Sequence, residues 1–203
     1  MKQRAWVILF MLLISLPVML SAQDSNPDVD EWEDFRTDLY VRGDQTVIIS
    51  AATAFELFFL NGSEKLNMNF NPPVGGAGSF SYNYYLSSNF FLGGEIAVQF
   101  MPSIRGDTLF TVPLGIRAGY QFVLGKIEIP LSLGFGMTWA RFLNLGYYGI
   151  YGRGGLGIYY RATTSWSFGI TTNWYYYPQW TNDRERNVHG NMLDLLLSAR
   201  YHF

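Results

Sequence analysis

The chain has 203 residues, of which 49% are hydrophobic and 18% aromatic, and its formal net charge at pH 7 is -2. This apolar fraction exceeds what a soluble domain of this length needs, so part of the surface is expected to face an apolar medium. The near balance of charge argues against nucleic-acid binding, which depends on a strong positive field. Because the chain has no cysteine, it has no disulfide, thiolate metal site or lipidated cysteine.

The first residues have the order that is typical of a secretory signal peptide. Two basic residues precede the apolar run Ala5–Leu20, and Ser21 and Ala22 follow it. The run is shorter than the roughly 20 residues that a membrane-spanning helix needs, which favours a signal peptide over an anchor. We therefore predict a cleavable signal peptide over residues 1–22, and export of the rest of the chain. The next segment, residues 23–43, is acidic and is expected to be a short periplasmic helix or a loose arm.

From residue 44 onward, apolar and polar residues alternate, which is the pattern of β-strands that separate two different environments. In the clearest stretch, Lys126–Ala140, every odd-numbered residue is apolar and the even-numbered residues are mostly small or polar. About eight such stretches over residues 44–203 predict an all-β fold, an eight-stranded antiparallel up-and-down transmembrane β-barrel. A soluble barrel with the alternation reversed is the alternative. Aromatic residues near the strand ends and the scarcity of charge favour the membrane form.

The predicted connections between the strands alternate between short and long. Outer-membrane barrels place short turns in the periplasm and longer loops outside, so both chain ends are predicted on the periplasmic side. The short turns are predicted at residues 87–89, 124–126 and 162–165, and the longer loops at residues 61–76, 102–109, 141–146 and 178–189.

Charged residues in the register opposite the apolar face are predicted to point into the lumen. Because a buried charge without its partner costs about 3–5 kcal/mol, we expect these residues to form a paired network that plugs the narrow interior. A gated ion or proton path is the alternative. Glu95, Arg117 and Glu128 are expected to share one cluster. The full predicted set is Glu56, Glu95, Arg117, Glu128, Arg153, Asp194 and Arg200.

Small residues recur at inward positions of the middle strands, including Gly134 and Gly155. They are expected to make room for bulky side chains from other strands, since a narrow barrel is filled by such complementarity. The alternative is a pocket for one apolar ligand. Pro113 and Pro130 favour that alternative, because each removes a hydrogen-bond donor from a strand and can mark a gap in the wall.

Two Arg-Gly-Asp tripeptides occur, a sequence that integrins bind when a flexible loop displays it. Residues 42–44 precede the first strand and are expected in the periplasm. Arg105, Gly106 and Asp107 fall in a predicted external loop and form a possible adhesion site. Gly-Asp is equally ordinary turn chemistry.

The chain lacks a convincing catalytic constellation. His189 and His202 are its two histidines, and only His189 has candidate partners, Asp183 or Ser63, in the predicted outer loops. Their spacing does not support a site. We therefore expect no enzyme activity, no cofactor and no metal.

The closing residues SARYHF end an alternating strand on an aromatic residue, and they resemble the targeting signal of outer-membrane barrel proteins. Tyr201 and Phe203 are therefore expected to be the membrane-insertion signal that the barrel-assembly machinery recognises. From about Asp44 to Phe203 the chain is similar to small barrels of the OmpX, OmpA and OmpW type. The elements GDQ, NYYLSSNFFLGGE and YHF resemble the eight-stranded outer-membrane proteins of spirochaetes.

The resemblance implies an integral outer-membrane protein that contacts lipid, and it leaves two roles open. OmpX-like proteins imply adhesion to a host-surface ligand, and OmpW-like proteins imply passage of a small apolar solute. We favour a surface interaction or structural protein with a plugged lumen that works through its external loops. A narrow channel or an OmpW-like carrier of small hydrophobic molecules is the alternative.

Overall fold

The computed structural model describes residues 40–61, 64–66, 74–102, 108–142, 145–179 and 188–203, and most of these residues are in β-strands. No helix within these ranges is long and apolar enough to cross a membrane. The strands of these ranges are β1 (Gln45–Asn61), β2 (Glu64–Leu66), β3 (Val74–Tyr85), β4 (Phe90–Pro102), β5 (Thr108–Leu124), β6 (Ile127–Phe142), β7 (Leu145–Arg161), β8 (Trp166–Gln179) and β9 (Val188–His202).

All strands except β2 are long, and they close into one antiparallel barrel. Strands β3 to β9 pair in chain order, β1 pairs with β3, and β9 returns to pair with β1. At one end of this last seam, the Gln45 and Phe203 backbones exchange two N–H···O bonds of 3.1 Å. The predicted eight-stranded barrel is confirmed. Strand β2, which pairs with the end of β1, was not predicted.

The alternation of side chains gives the barrel an apolar exterior and a polar interior. On β6, Leu133 and Phe135 are 72% and 66% exposed, whereas Ser132 and Thr138 of the same strand are only 4% and 3% exposed. The same alternation runs along the other long strands. An apolar exterior around a polar interior is the arrangement of a barrel that crosses a membrane, and the soluble alternative does not fit it.

The two ends of the barrel differ. We call the end that carries Gln45 and Phe203 the terminal end; residues 86–89, 125–126 and 162–165 make short turns there. The opposite end is the loop end. There, the predicted long loop over residues 141–146 is wrong, because Arg141 pairs with Gly146 and the ladder continues to Phe142 and Leu145. The connection between β6 and β7 contains only residues 143–144, so short turns are not confined to one end.

Neighbouring strands and side chains approach some inward glycines so closely that a Cβ atom there has no room. A Cβ atom added to Gly119 would overlap the Phe91 ring and lie 2.5 Å from the Leu131 carbonyl oxygen. Gly119→Ala is therefore expected to lower the free energy of unfolding by about 1–3 kcal/mol, the usual cost of overpacking. Urea unfolding of the detergent-folded barrel measures this. Gly152→Ala is the matched control, because a Cβ there meets nothing within 4 Å; equal losses in both variants would contradict the prediction.

Candidate functional site

The lumen holds three polar networks, stacked from the terminal end toward the loop end. Each is built around one buried carboxylate, on β6, β4 and β9 respectively, and its partners come from inward positions of other strands and, in one network, from Tyr40 ahead of the strands. We name them the terminal-end network (Glu128, Arg161, Arg200, Tyr40), the central network (Glu95, Arg117, Arg153, Ser81, Tyr175) and the loop-side network (Asp194, Gln99, Thr111, Tyr177).

In the terminal-end network, Glu128 is completely buried and faces two arginines. Its Oε2 atom lies 2.9 Å from Nη1 of Arg200, and its Oε1 atom lies 3.3 Å from Nη1 of Arg161. The Tyr40 hydroxyl donates to the same Oε2 atom at 2.8 Å. The Arg200 guanidinium also lies over the Tyr159 ring, 4.0 Å from its centroid, which adds a cation–π contact. The carboxylate is therefore neutralised from several strands.

Tyr40 enters the lumen from outside the strands. It precedes a tight turn in which Gly43 has a φ of 107° and the Asp44 carboxylate accepts the Val41 N–H at 2.9 Å. Its ring stacks on Tyr85 with centroids 4.1 Å apart. Burial raises the pKa of Tyr40 well above its usual range, although Arg200 opposes the shift, so the hydroxyl keeps the proton that it donates to Glu128. A cavity of about 210 Å³ opens beside it at the terminal end.

In the central network, Glu95 is held by two arginines and two hydroxyl groups. Its Oε2 atom lies 3.1 Å from Nη1 of Arg117 and 3.1 Å from Nη1 of Arg153. Ser81 donates to Oε2 at 2.9 Å, and the Tyr175 hydroxyl donates to Oε1 at 3.1 Å. The donors come from β3, β5, β7 and β8, so the network connects opposite sides of the barrel.

The loop-side network uses an amide where the other two use arginine. Nε2 of Gln99 donates to both carboxylate oxygens of Asp194, at 2.9 and 2.8 Å. Oε1 of Gln99 accepts from Thr111 at 2.9 Å and from Tyr177 at 2.7 Å. Among the described residues, Asp194 has no arginine partner at ion-pair distance. Aromatic and methionine side chains, including Tyr151 and Met101, pack around this level.

The predicted lumen residues do not form one cluster. Glu95 and Arg117 lie together as expected, but Glu128 belongs to a separate network, because it lies opposite Val123 of β5 whereas Glu95 lies opposite Gly115. Arg153 joins the central network and Arg200 the terminal-end network. Glu56 is half-buried and has no hydrogen bond or ion pair with another described residue.

Three residues of the lumen networks are not in the set that the sequence predicts. Arg161 and Gln99 occupy the same inward register as the predicted residues, so the alternation of β7 and β4 contained the signal that identifies them. Tyr40 lies ahead of the alternating region, and the sequence has no pattern that brings it inside.

The inward glycines face large side chains. A Cβ atom at Gly115 would lie 2.6 Å from the Tyr151 hydroxyl, and one at Gly155 would lie 2.9 Å from Nη2 of Arg153. At Gly134 the nearest side chain is that of Arg117, at 3.5 Å. The space that these glycines leave is therefore used by large side chains from neighbouring positions, which weighs against an apolar pocket at Gly134 and Gly155.

The remaining candidate residues that the structure describes lie at the terminal end. Tyr201 and Phe203 are exposed at the terminal end, with ring centroids 5.9 Å apart. Residues 42–44, the first Arg-Gly-Asp tripeptide, form the turn at this end. Arg105, Gly106 and Asp107 lie outside the described residues, and their role in adhesion stays a prediction.

The two histidines have ordinary hydrogen-bond partners. Nδ1 of His189 and the Tyr176 hydroxyl are 2.8 Å apart, and Nε2 of His202 and the Ser167 hydroxyl are also 2.8 Å apart. The candidate partners of His189, Ser63 and Asp183, lie outside the described residues, as does the predicted signal peptide. Within the described ranges, no group of acidic or histidine side chains is arranged to hold a metal ion.

The chain has the fold of the small eight-stranded outer-membrane β-barrel proteins. It is similar to Neisserial surface protein A, with a TM-score of 0.55 and 15% identity over 80% of this chain and 100% of that one. It is also similar to the N-terminal β-barrel domain of Pseudomonas aeruginosa OprF, with a TM-score of 0.50 and 10% identity over 81% of this chain and 100% of that one. At these identities, the likeness defines the fold alone.

A protein-family model matches residues 23–201, and the chain belongs to that family. Two uncharacterized proteins of Treponema pallidum (strain Nichols) are relatives. One is 29% identical over 136 residues, or 63% of this chain, and the other is 23% identical over 156 residues, or 68% of this chain. The chain spans 62% and 54% of the lengths of these relatives. The resemblance to spirochaete outer-membrane barrels is confirmed.

Arg200→Met tests the terminal-end network. The variant leaves Glu128 buried with only one arginine, and removing one partner of a buried ion pair costs about 3–5 kcal/mol. We expect a loss at the lower end of that range, because Arg161 keeps its contact with Glu128. Urea unfolding in detergent measures it, with Arg42→Met in the exposed turn as the control. A loss no larger than that of the control would show that the pair is dispensable.

Tyr40→Phe tests the contribution of the residue that precedes the strands. The variant keeps the ring that stacks on Tyr85 and removes the hydroxyl that donates to Glu128. A hydrogen bond to a charged group contributes about 1.5–3 kcal/mol, and a loss of that size in the free energy of unfolding is expected. Tyr148→Phe is the control, because that side chain is 76% exposed. Similar values for the two variants would contradict a role for the buried hydroxyl.

Proposed function

We propose that the chain is an integral outer-membrane protein with a closed lumen, and that it acts through its loop end as a surface interaction or structural protein. The observation that carries this proposal is the pairing in the lumen. Glu95 and Glu128, each at most 5% exposed, contact two arginines apiece. Side chains that neutralise one another in this way fill the section that an ion or a solute has to cross.

The energetics of the networks support a closed state. A solute that passes the central network has to displace Arg117 or Arg153 from Glu95, which leaves a buried charge without its partner. That costs about 3–5 kcal/mol for each pair that is broken. The terminal-end network and the Tyr40–Tyr85 stack form a second barrier below it. An eight-stranded barrel has little interior beyond the volume of its side chains.

The alternative role, a narrow channel or a carrier of small hydrophobic molecules, has one observation in its favour. Pro113 lies at a gap in the β4–β5 ladder, and Pro130 lies at a gap in the β6–β7 ladder, while the register is the same on both sides of each gap. Missing ladder bonds weaken the wall locally. Inside the barrel at this gap, the Tyr159 ring and the Pro130 ring both pack against Gly157. They therefore fill the space through which a ligand would enter. We therefore prefer the closed-lumen proposal.

Planar-bilayer recording and solute flux into liposomes distinguish the two roles. The purified barrel is expected to open rarely. Replacing both Arg117 and Arg153 by Ala should raise the open probability at least about tenfold. Breaking a buried pair costs about 3–5 kcal/mol, and a tenfold change in the open probability needs only about 1.4 kcal/mol of that free energy. Arg141→Ala, at an exposed position of β6, is the control and should leave the recordings unchanged. Frequent large openings of the unmodified barrel, or rapid uptake of apolar solutes, would favour transport.

A further inference from the structure

The terminal-end network encloses a phenol ring that comes from outside the barrel strands. Tyr40 precedes β1, and the turn over residues 41–44 connects the two. The residue is nevertheless only 2% exposed. Its hydroxyl group and its ring contact residues of β3, β6, β7 and β9. The barrel therefore surrounds this side chain in the way that a binding site surrounds a ligand.

The contacts at the hydroxyl group use it both as a donor and as an acceptor. The Tyr40 hydroxyl donates to Oε2 of Glu128 at 2.8 Å and accepts from Nη1 of Arg200 at 3.2 Å. A neutral hydroxyl group makes both bonds, whereas a carbonyl group lacks the donor and an ammonium group lacks the acceptor. A carboxylate in the same place would be repelled by Glu128. The pair Glu128 and Arg200 therefore selects a hydroxyl group.

The contacts at the ring select a flat aromatic group. The Tyr85 ring stacks on that of Tyr40, with centroids 4.1 Å apart and an interplanar angle of 18°. The guanidinium carbon of Arg161 lies over the Tyr40 ring, 5.5 Å from its centroid, and the His202 ring lies 5.6 Å away. Stacking and cation–π contacts both need an aromatic face. Together with the hydroxyl contacts, they define a site for a phenol.

The walls of this site are held in place by contacts that do not involve Tyr40. Glu128 keeps its ion pair with Arg200, whose Nη1 atom lies 2.9 Å from Oε2. Oε1 of Gln121 accepts from the Tyr85 hydroxyl at 3.2 Å and from Arg200 at 3.0 Å. The site is therefore still organised when Tyr40 leaves it, and organisation in advance lowers the cost of binding a ligand.

The position of Tyr40 in the chain lets its ring leave without breaking the barrel. The hydrogen bonds that join the turn to the sheet begin at Gly43, whose N–H bonds to the Tyr85 carbonyl at 2.9 Å, and Tyr40 lies ahead of them. Gly43 itself has a φ of 107°, a conformation that glycine adopts at no steric cost. The cavity of about 210 Å³ at the terminal end is lined by Tyr40, Arg161 and His202, so the ring borders open space.

We propose that the terminal end of the lumen is a binding site for a small neutral phenol, and that Tyr40 occupies it as an intramolecular competitor. A phenol that displaces the Tyr40 ring takes over its contacts with Glu128, Arg200 and Tyr85. This inference goes beyond the proposed function and does not depend on it, because the site lies at the opposite end of the barrel from the loop end.

The test uses the mature barrel in lipid nanodiscs and two probes. The first probe is p-cresol, which is the side chain of tyrosine as a free molecule, and the second is toluene, which lacks the hydroxyl group. Binding is measured from the amide resonances of Glu128 and Arg200 as the free aqueous concentration of each probe rises. The variant Tyr40→Ala should bind p-cresol at least about tenfold more tightly than toluene, because only p-cresol makes the two hydrogen bonds.

The unmodified barrel should also bind p-cresol, but at least about tenfold more weakly than Tyr40→Ala does, because the probe has to displace the Tyr40 ring. Tyr40→Phe should fall between the two, since its ring stacks on Tyr85 but lacks the hydroxyl group. As p-cresol saturates the unmodified barrel, exchange of the Val41 N–H, which bonds to the Asp44 carboxylate at 2.9 Å, should become faster. The control Tyr148→Ala, at a highly exposed position, should bind p-cresol as the unmodified barrel does.

Equal affinities of p-cresol and toluene for Tyr40→Ala would overturn the recognition of a hydroxyl group. No binding of p-cresol to the unmodified barrel, up to the solubility of the probe in water, would overturn the displacement and make Tyr40 a fixed part of the lumen. If Tyr40→Ala does not fold, the comparison of Tyr40→Phe with the unmodified barrel decides, and affinities within about twofold of each other would overturn the proposal. Frequent channel openings would contradict the closed lumen and leave this site standing.

Discussion

Closure of the sheet is the constraint on which the rest of this structure depends. Because β9 pairs with β1 along the whole seam except for a β-bulge at Leu57, the sheet is closed and every second side chain is confined to a narrow interior. An interior of this size cannot hydrate an ion, so a carboxylate placed there needs protein donors. The three networks are the consequence: Glu128 and Glu95 each collect donors from several strands, and Asp194 is held by Gln99 of β4, which is itself bonded to two further strands.

The networks also explain the distribution of residue sizes. Glycine and serine on the middle strands accept long side chains, as where Gly155 lies beside Arg153 and where Gly115 lies beside Tyr151. A long arginine crosses the interior only if the opposite wall is small. Size complementarity and charge pairing are therefore two aspects of one packing arrangement, which supports the view that the lumen is structural and that recognition occurs at its ends.

The sequence predicts the strands well because two solvents impose a period of two on any strand between them. The stretch Lys126–Ala140 shows this directly, and its odd residues do face outward. The sequence predicts less about the lumen. The stagger between strands decides whether Glu95 and Glu128 meet, and stagger leaves no trace in the alternation of one strand. Tyr40 lies ahead of any alternating pattern. The long loop predicted over residues 141–146 is wrong because the ladder continues through Arg141–Gly146 and Phe142–Leu145, where the sequence does not alternate clearly between apolar and polar residues.

The Gln45–Phe203 backbone pair has a consequence for how the molecule is made. It joins the first strand of the barrel to the last, so the β1–β9 seam has by far the longest sequence separation of any pairing in the sheet. Loop-closure entropy makes such contacts late events in folding. Hairpins form locally along the chain, and the cylinder is completed only when its two distant edges meet. Until then both edge strands expose unpaired backbone N–H and C=O groups, which can pair with other chains. The assembling chain therefore depends on a factor that covers these edges.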